Sequence, residues 1–314
     1  MLLDLLDQHK QRVAECNVGR ESIRGPEFLE LRGNGLLFGY VHESFAEHLL
    51  LLDDTFKVYF VRSKDGSPLG HYIGLDQSLK TPKARTKAVA AVCSELREKG
   101  VITGWRDELY PVSTGFHNKP YFGLERAAAP HFGIIAYGVH MNGYTEDADG
   151  NKYLWVARRS ATKQTWPLRL DHLVAGGQPL GLSCADNLVK ECQEEAGIPP
   201  DLARRATAAG TVSYEMVTDE NRAKRDVLFV YDLKLPSDFQ PKNQDGEVES
   251  FELWPLARVA ETIRKSNEYK PNVALVIIDF LVRHGYIHPD QKGYVELVSS
   301  LRTGCVEAAS RRTT

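Results

Sequence analysis

Between residues 81 and 100, apolar side chains recur at Val89, Val92, Cys93 and Leu96, three and four positions apart, which predicts a helix with one buried side. Thr81 suits its cap, Pro82 its first turn and Gly100 its end. A first amphipathic helix is expected from Leu2 to about Cys16, where Asp4 and Asp7 interrupt Leu2, Leu3, Leu5 and Leu6. Residues 28–40 and 56–62 read as strands, the second because Phe56, Val58 and Phe60 alternate with polar neighbours. In the second half, 132–141 reads as a buried strand, Asn142-Gly143 and 147–150 as turn signals, and 152–157 as a returning strand. Two more strands are expected at 211–216 and 225–235, the latter apolar on both sides and therefore covered. Helices at 256–266 and 271–284 close the pattern, and a small, polar tail from about residue 301 is expected to fray.

Strands and helices are interspersed throughout, so the expected class is α/β of the α+β kind. The 314 residues exceed one ordinary core. A smaller α/β module over 1–126, a second domain over 127–300 and a flexible tail over 301–314 account for the length. The charge balance, 39 basic against 42 acidic residues, leaves no electrostatic footprint for nucleic acid. No apolar run approaches a membrane span. Five cysteines, an odd number with no CxxC pair, fit free thiols in a reducing cytoplasm. None of the ten histidines pairs with another at ligand spacing, and no Gly-x-Ser-x-Gly elbow is present.

The chemistry concentrates in 176–198, GGQPLGLSCADNLVKECQEEAGI. Glu191, Glu194 and Glu195 stand at i, i+3 and i+4, one face of a helix, and Gly197, Pro199 and Pro200 end it. Such a face is either a solvated acidic surface or a seat for a hard divalent cation. The Gly176-Gly177 loop before the helix favours the second reading. Nearby basic residues, Arg158, Arg159 and Lys163, are candidates for phosphate contact. The stretch 104–112, with Trp105, Arg106 and Tyr110, either packs two domains together or closes over a ligand at their junction.

These residues resemble the Nudix box: Gly176, Lys190, Glu191, Cys192, Glu194, Glu195, Gly197 and Ile198 fall on its pattern in register. Leu182 and Lys190 depart from it, where the family commonly has a glutamate and an arginine that brace one another. The resemblance implies a Nudix α/β/α sandwich with a mixed sheet. It also implies a metal-dependent hydrolase, with Mg²⁺ or Mn²⁺ held by Glu191, Glu194 and Glu195, the Gly176 carbonyl and a later acid, first Glu247 and then Glu249. Catalytic roles fall to Glu194, Glu195 and Glu191. The whole layout is similar to a Nudix subfamily whose N-terminal module is described as related to thiamine pyrophosphokinase and whose members are implicated in hydrolysing thiamine diphosphate and its oxy and oxo analogues. That likeness implies a small-molecule diphosphate substrate, with Trp105, Trp166 or Phe229 as stacking surfaces. Hydrolysis of ADP-ribose or a dinucleotide polyphosphate, and a non-catalytic ligand-binding domain, are the alternatives. Oligomeric state stays open, a homodimer included.

Overall fold

The computed structural model describes residues 5–52 and 54–304. The expected helix start at Leu2, Cys305 and most of the expected tail lie outside the described residues. Helix α1 spans Leu5–Glu15. Strands β1 (Phe28–Gly33) and β2 (Leu36–His42) replace the single strand expected over 28–40. Asn34 and Gly35 both take positive φ, 53° and 75°, and turn the chain into an antiparallel hairpin. Helix α2 (Glu43–Leu52), β3 (Phe56–Arg62), β4 (Pro68–Leu75) and α3 (Pro82–Glu98) follow. The sheet order is β2-β1-β4-β3, with β1 and β4 parallel. The Thr81 hydroxyl accepts from Ala84 N–H at 3.1 Å and caps α3. Both helices join the sheet in one core that includes Leu31, Phe45, Ile73, Val89 and Cys93. A separate hairpin, β5 (Leu109–Val112) with β6 (Phe122–Glu125), ends this half.

Short α4 (Ala129–Phe132) leads into β7 (Ile135–Glu146). The chain continues through β8 (Lys152–Arg159), β9 (Leu170–Asp171), β10 (Val174–Gly177), α5 (Cys184–Ala196) and α6 (Pro200–Ala203). Then come β11 (Thr207–Val217), β12 (Ala223–Lys234), β13 (Val248–Pro255), α7 (Leu256–Lys265), α8 (Pro271–Arg283) and α9 (Tyr294–Ser300). The turn expected at Asn142-Gly143 does not form. Parallel β12 pairs with β7 from Ile135 to Tyr144 and carries the strand straight through both residues.

The second sheet runs β11-β12-β7-β8-β13, and β7 changes partner along its length. Its segment Gly138 to Met141 pairs with β10, whereas Tyr144 to Glu146 pair with β8. The short strands β9 and β10 therefore enter where β7 and β8 part, and they deliver Gly176-Gly177 there. Helix α5 covers one face of this mixed sheet, packing Leu188, Cys192 and Ala196 against Val139 and Met141. Helices α7, α8 and α9 cover the other face, giving an α/β/α sandwich. Helix α1, which the sequence assigned to the N-terminal module, packs against α7, α8 and α9 instead, burying Leu6, Val13 and Cys16 in their core.

Candidate active site

Helix α5 is defined at both ends by its own residues. The Ser183 hydroxyl accepts from Asp186 N–H at 3.1 Å, and Gly197 closes the helix in the left-handed region at φ 64°. Leu188, Cys192 and Ala196, four apart, face the core, which turns Glu191 and Glu195 toward β10. Glu195 is buried, and its carboxylate accepts the Ala175 N–H at 2.7 Å. Glu191 lies directly on Gly176, where a β-carbon would collide with its carboxyl group. Only glycine admits that approach.

Glu194 projects outward. Its side chain keeps 47% of its accessible surface and pairs with Lys190 at 2.8 Å; Lys190 also reaches Glu191 at 3.1 Å. Burial raises the Glu191 carboxyl above the ordinary carboxylate range. It raises Glu195 much further, and the adjacent Glu191 charge adds to the effect. The buried Glu195 and the part-buried Glu191, whose charge disfavours ionisation of Glu195, form a donor set that a divalent cation would satisfy, and the bare Gly176 backbone lets Glu191 approach. Among the described residues, no three His, Cys, Asp or Glu side chains already converge on one point.

The loop that carries the glycines is braced without the acid–arginine pair of the box. Buried Asn187 donates to the Gly177 carbonyl at 2.8 Å and to Gln178 Oε1 at 3.1 Å, and Gln178 in turn donates to the Leu182 carbonyl at 2.6 Å. A neutral amide network thus does the bracing at the position where Leu182 replaces an acid.

The other expected site residues are spread around this centre. Glu247 forms an ion pair with Lys163, and its carbonyl accepts from Ser160 N–H at 2.9 Å. Burial acts to raise the Glu247 carboxyl, but the Lys163 hydrogen bond and charge outweigh it and lower the group. Arg159 is engaged internally: it binds Asp171 at 2.6 Å and the carbonyls of Trp166 and Thr165 at 3.1 and 2.9 Å. Arg158 donates to the Leu168 carbonyl at 3.0 Å. These bonds shape the 160–168 loop, on which Trp166 and Leu168 are both exposed and both at positive φ. Trp105 stays in the N-terminal half, under Arg97 at 4.8 Å and bonded to Asp107 at 2.7 Å. Phe229 meets Phe116 and Tyr137 at centroid distances of 4.7 and 6.1 Å. Glu249 is exposed.

Tyr110, expected either to pack the domains together or to close over a ligand, and Arg126, absent from the expected set, both reach the glycine loop. The Tyr110 hydroxyl and the Arg126 guanidinium lie against Gly177, and Leu180 N–H donates to the Leu109 carbonyl at 2.7 Å. The aromatic and charged text around 104–126 was the available signal, but the contact depends on how β5 and β6 dock, which no local pattern reveals.

Comparison with known proteins divides the chain at the same region. A family described as "Domain of unknown function (DUF4743)" matches residues 8–136, and the NUDIX domain matches 137–275. Nudix hydrolase 20, chloroplastic, of Arabidopsis thaliana is 51% identical over 295 residues, covering 93% of this chain and 77% of that protein. Nudix hydrolase 24, chloroplastic, of the same plant is 48% identical over 294 residues, covering 94% and 77%. An uncharacterized protein of Saccharomyces cerevisiae, YJR142W, is 44% identical over 213 residues, covering 64% of this chain and 61% of that protein.

Proposed function

Because the chain belongs to the Nudix hydrolase family, we propose that it cleaves the diphosphate of a small molecule, thiamine diphosphate or its oxy and oxo analogues, to the monophosphate and phosphate. The observation that carries the hydrolytic reading is the convergence of Glu191 and Glu195 on the bare backbone of Ala175 and Gly176. Glu191, Glu195 and Glu194, with Glu247 and the Gly176 carbonyl, would hold Mg²⁺ or Mn²⁺, which when bound supplies charge neutralisation at phosphate and a water of lowered pKa. The protein's own part is to aim its carboxylates. Gly176 seats Glu191, the Ala175 amide fixes one oxygen of Glu195, and Lys190 tethers Glu194, which is exposed enough to receive a proton from attacking water. Burial of the first two acids makes them costly when unpaired, so their affinity for a cation rises with their isolation from water.

The thiamine class is supported by the resemblance of the layout to the subfamily with a thiamine pyrophosphokinase-related N-terminal module. Aromatic rings at Phe229, Phe116 and Trp166 supply faces for a heterocycle. The test is hydrolysis with Mg²⁺ over a panel of thiamine diphosphate, oxythiamine diphosphate, ADP-ribose and a dinucleotide polyphosphate, followed by substrate loss and with products identified by mass. Selective turnover of the thiamine compounds is expected. Turnover of ADP-ribose or the polyphosphate alone would replace the substrate class while keeping the reaction.

A further inference from the structure

We propose that the N-terminal module completes the active site by presenting Arg106 and Arg126 as a paired guanidinium clamp for a phosphoryl group of the substrate. The proposal rests on the hydrolytic reading and deepens it, because it assigns the phosphate contacts to the other half of the chain. Arg126 follows β6 and lies so close to Gly177 that its Cζ is 3.1 Å from the place of an added β-carbon. The Tyr110 ring supports it at 5.6 Å. Main-chain bonding between Leu180 and Leu109 ties this hairpin to the loop that precedes α5. Arg106 stands just before the same hairpin. Buried Glu125 fixes the Arg106 backbone, its Oε1 accepting from Arg106 N–H at 2.9 Å and from Ala127 N–H at 3.1 Å, while Arg126 N–H donates to the Glu108 carbonyl at 2.8 Å.

One guanidinium of the two is left without an ion pair. Arg126 has Glu108 at 2.9 Å, whereas among the described residues the Arg106 guanidinium forms no ion pair, although the charges of Glu247 and Glu125 reach it. Partial burial, and then the Arg126 charge, push Arg106 below its ordinary range. Two acids of the Nudix half within electrostatic reach of Arg126, Glu191 and Glu247, are already engaged by Lys190 and Lys163. A guanidinium presents planar paired donors that match phosphate oxygens. Glu191 packs on Gly176 and Arg126 on the adjacent Gly177, so the acid and the guanidinium flank the end of β10 from its two faces.

The experiment titrates inorganic pyrophosphate into the full chain by calorimetry without divalent metal, and measures KM and kcat with Mg²⁺ on the substrate panel. Wild type, Arg106→Gln, Arg126→Lys and a distant control, Arg258→Gln, are compared. Arg106→Gln should weaken pyrophosphate binding by about tenfold or more, the loss of a charge-assisted contact. Arg126→Lys, which keeps the charge but loses the fork, should weaken it too, and Arg258→Gln should not. KM should rise in the Arg106 variant more than kcat falls. Pyrophosphate affinity that is absent in wild type or unchanged in Arg106→Gln overturns the clamp. If Arg126→Lys melts early, Arg106→Gln decides alone, since its side chain holds no described structural bond. Arginine-dependent pyrophosphate binding without turnover would remove the hydrolytic reading and leave the clamp. Turnover with an arginine-independent KM would do the reverse.

Discussion

His131 and His172 are buried imidazoles that desolvation pushes down to about 3 and about 4. His140, edge-on to His172 at 5.1 Å, is lowered for the same reason. The unfolded chain takes up these protons near pH 6.5, the folded chain only well below it. The stabilisation from neutral burial is therefore complete above about pH 6.5 and is lost as pH falls toward the folded values. Urea unfolding should show a midpoint that declines from about pH 6.5 to 4, with His172 accounting for up to about 3 kcal/mol. His172→Gln should flatten part of that decline; an unaltered slope would refute the assignment. Asp171 acts in a lower window: burial would raise it, but Lys270 and Arg159 hold it well below the carboxylate range, so its contribution is lost only under about pH 4. The meeting of His140 and His172 was not legible in the sequence, because it requires β10 to pair with β7. The carboxylates were legible by type but less so by direction. At 3.6 residues per turn, Glu191 and Glu195 lie about 40° apart and Glu194 about 100° from Glu195, so core packing selects the first two and leaves the third outside.

Although the Ser183 cap at its start emerges only from the structure, the end of helix α5 was readable because its punctuation is local: Gly197, Pro199 and Pro200 stand just past its last residue. Strand β4 was not, since Pro68, Gly70 and Gly74 resemble turn signals. Gly74 in fact allows a close approach, for a β-carbon there would stand 2.7 Å from the Arg32 carbonyl on the paired strand. Gly177 has the same kind of duty at the head of the site loop. Alanine there would collide with the Tyr110 hydroxyl and crowd Arg126, so Gly177→Ala should lower stability by about 1–3 kcal/mol, as overpacking does. Thermal and urea unfolding check this. Gly150→Ala, strained at φ 82° but with nothing within 4 Å, is the contrast and should cost about 1 kcal/mol or less.

The two halves matched by different families are interlocked in space. Helix α1 begins the chain yet completes the helical layer of the Nudix half, while β5–β6 of the N-terminal half reaches the glycine loop. Neither crossing follows from periodicity, because an amphipathic helix shows that it has a buried side without showing which partner buries it. The Nudix layout itself was legible through the spacing of one motif. Among the described residues no helix is long and apolar enough to cross a membrane. The central claim is that buried acids on α5 hold the cation that makes the chain a hydrolase. Its most direct test is Mg²⁺-dependent turnover of Glu195→Gln beside wild type, on whichever diphosphate the wild type cleaves, with unfolding curves recorded in parallel. Glutamine keeps an acceptor for the Ala175 amide and cannot ionise to hold a cation. The predicted result is turnover lower by at least about 10²-fold in a chain that unfolds no earlier than wild type. Turnover near the wild-type level in a folded variant would contradict the claim.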